Sequence, residues 1–402
     1  MALDATEHSM HDRLKAQQSQ MLLRVGEMVS MPTGYGNKSG LLSLREFLAV
    51  RLRNLGATIE LIDADARPEW IESTSGPDAR MPILVAHRTQ GRTGPRMLLC
   101  GHLDTVHDPK GTFQRMEPRS DGAVVGPGVV DMKGGLEVLV CALEMLEAHG
   151  ERVAWTVVLV SDEESGSFGS AAALTKLAAT HDRAFVVEPA TASGDLVVAR
   201  AGSGQFMLQA FGRAAHAGRD FAKGISAVTA LAKAVVDASA LVDIPRGRLV
   251  NIGPLQGGVA TNIVPDAARA WGNFRFANDA EGRELGLALD ALAYGSESDV
   301  PRLRLCKNAN RPAKPCTDQV KALGLRAQIV ATDLGLSVGL ASTGGVSDAN
   351  LIQQAGPPTL DGLGVRGGNL HRNDEFMWPD SLPERASLLA ILLRRESRLS
   401  TE

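Results

Sequence analysis

Apolar and polar positions follow two different periods along this chain, and the switches between them mark its elements. Helical spacing opens the chain over roughly 11–29 and 43–55. TIELIDA then reads as a strand, and RMLLCGHLD as a buried strand ending in a polar turn. KGGLEVLVCALEMLEAHG follows as an amphipathic helix, with Gly150 where a C-terminal stop belongs. WTVVLVSDEE and RAFVVEPA are two further apolar runs, each ending abruptly in carboxylates. Strands alternating with helices predict an α/β fold with a mostly parallel sheet flanked by helices. In such sheets ligands collect at the carboxyl ends of the strands.

The pattern changes in the middle. GQFMLQAFGR reads as a strand, GISAVTALAKAVVDASAL as a helix, and LVNIGPLQGG and DAARAWGNFRFA as strands. ELGLALDALAYG is a further helix and RLRLCKN a strand. The order β-α-β-β-α-β is the ferredoxin-like arrangement. It predicts an inserted α+β lid over 201–311, splitting the main domain into 1–200 and 312–402. SVGLASTGG, the helix DANLIQQAG, PTLDGLG and a last helix through LPERASLLAILLRRES resume the sheet pattern.

Composition narrows the class. A chain of 402 residues suits two domains of unequal size. With 44% hydrophobic and 22% charged residues it has the balance of a soluble globular protein. A formal net charge of −4 gives no reason to expect nucleic acid or an anionic membrane as partner. No apolar run is long enough to span a bilayer, and MALDATEHSMHDRLKAQQSQ lacks the apolar region of a secretory signal. Cys100, Cys141, Cys306 and Cys316 are scattered without a CxxC pair, so a reducing cytoplasm is the expected setting.

The strand ends carry the candidate chemistry. GHLDTV offers His102 and Asp104; GPGVVDMKGG offers Asp131 in a glycine-rich loop before a helix. SDEESGS offers Asp162, Glu163 and Glu164, VVEPA offers Glu188, and GGNLHRNDEF offers His371. Each alone is weak, because a carboxylate at a strand end is usually a cap or turn former. Four successive groups at the polar end of apolar strands would converge on one sheet edge. So many carboxylates in one cleft would repel and take up protons unless divalent cations neutralised them. Imidazole and carboxylate suit zinc, and also manganese or cobalt. A two-metal site is the preferred reading. His107 and Asp108, just before Pro109, are expected only to form the turn or touch the rim.

GHLDTV, GPGVVDMKGG, DEESGS, EP, GRAAHAG, GGVSDAN and the late His371 resemble the superfamily of two-zinc exopeptidases and amidohydrolases. That superfamily includes glutamate carboxypeptidases, succinyl-diaminopimelate desuccinylases, acetylornithine deacetylases and aminoacylases. The motifs span roughly 100–375 in the family order, and GHLDTVHDPKGTF with GPGVVDMKGGL looks most like the glutamate carboxypeptidase branch. The resemblance implies a zinc-exopeptidase fold in which Asp131 bridges two metals. His102 and Glu188 would complete one metal site, and Glu164 with His371 the other. Glu163 would be the general base, moving a proton from the metal-bridging water to the leaving amine. Asp104 would orient His102, and the Asp131–Met132 peptide bond would be cis. In the lid, His216 would stabilise the oxyanion, often across a dimer interface, which implies a homodimer. Asn262 would contact substrate and Arg275 would bind its carboxylate. Gly344 and Gly345 would let backbone approach the substrate. Arg311, in NRPAKP, could add a second anionic contact, but a domain hinge is the favoured reading.

The expected enzyme is a dinuclear zinc hydrolase cleaving an amide bond next to a free carboxylate in a small molecule or short peptide. A glutamate-type carboxypeptidase is favoured, with an N-acyl amino acid deacylase or desuccinylase as the alternative. A non-catalytic binding homologue would be expected to lack a ligand or the base, and none is missing. A single-metal protease of the HExxH type is excluded, since no HExxH occurs.

Overall fold

A computed structural model describes residues 2–34, 36–71 and 81–399. The apolar runs become strands β1 (Thr58–Ile62), β2 (Ile83–Arg88), β3 (Met97–His102), β4 (Trp155–Val160) and β5 (Arg183–Val186). With the short strand Thr359–Leu360 they form one sheet, ordered β1, β2, β4, β3, β5, Thr359–Leu360. The two pairings at the β1 end are antiparallel. From β4 onward all are parallel.

Every residue of β3 and β4 is buried, because a parallel sheet is covered on both faces. Leu99, Val157 and Phe185 pack with Leu139 and Leu389 on one side. Leu98, Val158 and Val186 pack with Leu174 and Ile352 on the other. Unbroken apolar runs, not alternating ones, are the sequence signature of that arrangement.

The helix Gly134–Ala148 departs from the expected amphipathic pattern: it is buried on nearly all sides. Its Glu137 is fully buried and paired with Arg51 and Arg24, while Glu144 meets Arg51 at 2.9 Å. The polar positions face arginines of neighbouring helices instead of water. Gly150 does take the left-handed φ of 70° that ends this helix. The helix Asp318–Asp333, left unassigned above, packs Val320, Leu323 and Ala327 into the same core.

The inserted segment forms β6 (Gly202–Phe211), β7 (Leu249–Gly257), β8 (Ala267–Phe276) and β9 (Arg302–Arg311). They are ordered β7, β8, β6, β9 and all pairs are antiparallel, the ferredoxin-like order. Helices Ala227–Ser239 and Asp279–Asp290 pack on this sheet around Phe206, Leu208, Ala270, Phe274 and Leu285. Glycines within the strands serve this packing: a Cβ on Gly204 would lie 2.3 Å from the Phe274 ring.

Candidate metal centre and catalytic cleft

Parallel β3, β4 and β5 deliver their carboxyl ends to one edge. His102 is the last residue of β3, Glu163 and Glu164 follow β4, and Glu188 follows β5. Asp131 lies in the turn before the helix Gly134–Ala148, and its peptide bond to Met132 is cis, as the resemblance implied. His371 comes from the loop between Gly368 and Phe376, where it and Asn369 take left-handed backbone with φ of 63° and 57°. Such backbone in residues other than glycine is held only where the surroundings determine it, commonly at ligand sites.

Asp131 stands between two sets of donors. Its Oδ1 is 3.2 Å from His102 Nε2, which lies 3.9 Å from Glu188 Oε1. Its Oδ2 is 3.4 Å from His371 Nε2, which lies 3.3 Å from Glu164 Oε2. His102, Asp131 and Glu164 could hold a metal ion, as could His102, Glu163 and Glu188; in each group the ligand atoms lie within 4.8 Å of one another. His102 directs Nδ1 to the main-chain carbonyl of Asp104 at 2.9 Å, which aims Nε2 at Asp131, where it would ligate a metal once the proton between them is displaced.

The electrostatics fit a cation. Burial pushes the Glu164 carboxyl up to about 8, with the Asp131 charge adding to it. Burial likewise raises Glu188 well above the carboxylate range. Asp131 is held low against its own burial by hydrogen bonds to His102 and His371. His371 is raised to about 10 by its bonds to Asp131 and Glu164. Protons therefore stand in this cluster where positive charge is needed, and metal binding would displace them.

The cluster opens into a cleft of about 540 Å³. Asp131, Glu163, Glu164 and Glu188 line one part, and Arg200, Arg275 and Arg311 another. Arg200 is paired with Asp361 at 2.7 Å and Arg311 with Glu163 at 2.5 Å. Arg275 donates to the Gly344 carbonyl at 2.8 Å and to Asn273 Oδ1 at 3.3 Å, and has no carboxylate partner among the described residues. Burial and the nearby Arg311 charge lower its pKa, as expected of a cation without an anion.

Residues 98–395 match the Peptidase family M20/M25/M40. The chain belongs to this family. It is 26% identical over 384 residues to carboxypeptidase G2 of Pseudomonas sp. (strain RS-16), covering 94% of this chain and 89% of that protein. It is 27% identical over 390 residues to a succinyl-diaminopimelate desuccinylase of Methylorubrum populi, covering 92% and 96%. The crystal structure of a tripeptidase from Staphylococcus aureus shares the fold, with a TM-score of 0.74 at 23% identity over 95% of this chain and 99% of that one.

Around the cluster, this M20/M25/M40 hydrolase has a frame that the sequence reading largely missed. The Asp104 carboxylate lies 3.5 Å from His102 Nδ1 and accepts the N–H groups of Glu163 at 3.3 Å and Glu164 at 3.0 Å. It thus holds the acidic turn as well as flanking the histidine. Arg311, read above as a hinge residue, is 3% exposed and binds Glu163, Ser167 and Asp348. His107, read as part of a turn, is buried and its Nε2 is 2.6 Å from Glu375. Asp108 does serve the turn, accepting the Lys110 N–H at 2.9 Å.

The lid residues divide. Arg275 and Gly345 line the cleft, while Gly344 contributes its carbonyl to Arg275. His216 lies on the two-stranded ribbon Ala215–His216 with Ile263–Val264, and Asn262 in the turn directly before its second strand; both are exposed and outside the cleft lining. His216 Nδ1 accepts the N–H groups of Gly218 at 3.1 Å and Arg219 at 3.2 Å, so the neutral ring carries its proton on Nε2, facing away from those bonds.

Proposed function

We propose that this protein hydrolyses an amide bond next to a free carboxylate in a small molecule or short peptide, as a carboxypeptidase favouring a glutamate-type C-terminal residue. The observation that carries the reading is Asp131, whose two oxygens each face a separate histidine, His102 lying in turn 3.9 Å from Glu188 and His371 3.3 Å from Glu164. His102 and Glu188 with Asp131 would hold one divalent cation, and His371 and Glu164 with Asp131 a second. Zn²⁺ is the first choice for imidazole and carboxylate donors, with Co²⁺ or Mn²⁺ as alternatives. When bound, such ions polarise the scissile carbonyl and lower the pKa of water.

The chain's own residues do the rest. Glu163, held by Arg311 beside His102 and Glu188, takes the proton of the attacking water and returns it to the leaving amine. Arg275 pairs with the substrate carboxylate, for which a guanidinium with no carboxylate partner among the described residues is suited. Gly344 and Gly345 border that position without side chains. Asn262 contacts substrate, and the Nε2–H of His216 donates to the developing oxyanion.

Neither His216 nor Asn262 reaches its own chain's cleft here, which supports delivery by lid closure or by a second copy in a homodimer. The lid has a surface for pairing: β7 is an edge strand exposing Leu249 and Leu255, and Val236 is exposed on the adjacent helix. Four unpaired cysteines support a cytoplasmic setting, and among the described residues no helix is long and apolar enough to cross a membrane.

Deacylation or desuccinylation of an N-acyl amino acid uses the same atoms, and the Methylorubrum relative favours keeping it as the second reading. Metal-loaded protein should be offered a folate-type glutamyl conjugate, N-acetyl and N-succinyl amino acids, and dipeptides. Fastest release of glutamate from the conjugate is the expected result. Faster turnover of an acyl amino acid selects the second reading, and no amine release from any substrate overturns both.

A further inference from the structure

The turn that carries Asp131 hangs from one carboxylate that the proposed chemistry does not use. Glu375 is 1% exposed, and its side chain accepts from four donors. Oε1 receives the N–H groups of Val130 at 2.9 Å and Asp131 at 3.0 Å. Oε2 receives the N–H of Gly128 at 3.1 Å and the Nε2–H of His107 at 2.6 Å. Four donors match the lone-pair sites of an ionised carboxylate. The main-chain carbonyl of Glu375 also accepts the Gly126 N–H at 3.0 Å. One residue thus grips the segment 126–131 at four of its amides.

Its place in the chain gives that grip a consequence. Glu375 lies in the same loop as His371, whose Nε2 is 3.4 Å from Asp131 Oδ2. His107 lies in the loop that follows His102, whose Nε2 is 3.2 Å from Asp131 Oδ1. His107 is itself braced edge-on by Phe113, with ring centres 5.0 Å apart. The bonds of Glu375 to His107 and to the amides of Gly128, Val130 and Asp131 therefore join the three segments that bring His102, Asp131 and His371 together. A carboxylate that only stabilised the fold would have no need to meet all three.

We propose that Glu375, braced by His107, is a positioning residue that sets how Asp131 is shared between the two donor sets. It acts through the main chain of Asp131 and touches no reacting atom. The inference rests on the two-cation reading above. Glutamine at 375 would keep one acceptor oxygen but turn an NH₂ group toward amide donors, so the turn must shift.

The test is titration of full-length, metal-free protein with Co²⁺, followed by calorimetry and by the visible absorption of the bound ion. The wild type is expected to bind two ions. Glu375→Gln should weaken at least one of them by ~10–100-fold and alter the cobalt absorption. Its kcat should fall while KM stays within about twofold. His107→Leu removes only the brace and should shift binding in the same direction by ~10-fold. His107→Gln restores an N–H donor and should recover most of that loss. Should Glu375→Gln fail to fold, the two His107 variants decide. Wild-type affinities and spectrum in Glu375→Gln or His107→Leu, even with a lowered Tm, would overturn the proposal and leave Glu375 a structural anchor. A wild type that does not bind two ions overturns the two-cation reading instead, and with it this one.

Discussion

The carboxyl edge of the main sheet and the lid ribbon are built in opposite ways. At the sheet edge His102, Asp131 and Glu188 are buried and donor meets acceptor within one domain. Asp104, Arg311 and Glu375 hold the turns that carry Glu163, Glu164 and Asp131 from behind. At the ribbon, His216 and Asn262 are exposed, anchored mainly by local main-chain bonds, and outside the cleft. The first region is organised within one domain, whereas the second would need a movement or a partner to join it, as the proposed function requires. That division of labour suits a site where metal ligation must be rigid and substrate access must not be.

The largest expected effect lies at the rigid edge. Glu163→Gln keeps the size of the side chain and an oxygen for Arg311, but cannot take a proton. Its kcat should fall by ~10²–10⁴-fold with metal content unchanged. Steady-state kinetics beside metal analysis checks both halves. Undiminished turnover would remove Glu163 as the base and move the chemistry away from this edge.

The same contrast explains what could be read in advance. The strands and the candidate ligands His102, Glu163, Glu164 and Glu188 were legible because these residues end or closely follow apolar runs, and parallel strands carry those ends to one side, whereas Asp131 and His371 sit on turns whose roles only the motif resemblance assigned. The lid's β-α-β-β-α-β order was legible because each of its elements has its own periodicity. The supporting frame was not. Glu375 and Asp131, and likewise Arg311 and Glu163, are far apart in sequence and meet only after the sheet is assembled. No local pattern distinguishes a buried carboxylate that accepts four donors from one solvated on a loop. His107, a residue before Asp108 and Pro109, carried turn signals that hid its burial. The helix Gly134–Ala148 showed a similar ambiguity, since its glutamates looked solvent-facing until Arg24 and Arg51 arrived from other helices.

A smaller effect is expected at the ribbon. His216→Ala should lower kcat by ~10²–10³-fold, the loss of one oxyanion donor. Metal content should be unchanged, and stability should move by less than about 0.5 kcal/mol because the side chain is exposed. Mixing this variant with Glu163→Gln sharpens the comparison further. If a second copy supplies His216, subunit exchange at equal amounts recovers about a quarter of the wild-type sites. Recovery absent despite exchange, shown by mass, assigns His216 to closure of its own chain's lid.

The smallest expected effect is on stability, and it too separates the regions. Glu164 has an ordinary pKa of 4.5 and stands near 8 in the folded, metal-free chain. The folded state therefore keeps a proton that the unfolded chain releases, so stability falls as pH rises from about 4.5 toward 8. Asp348, raised by burial to about 7, and Glu188, raised by burial, act with the same sign. Lys133 is lowered by burial to about 7 and opposes them only above that pH. Asp131, held low, titrates below the window. Between pH 5 and 7 the Tm of metal-free protein should thus drop by about a few °C. Loading with Zn²⁺ should flatten most of the slope, because cations replace the protons at Glu164 and Glu188, leaving the share of Asp348, which lies outside both donor sets. Calorimetric scans at both pH values, with and without metal, measure it. A slope equally steep in the loaded protein would place the titrating groups outside the metal edge and remove the electrostatic half of the contrast.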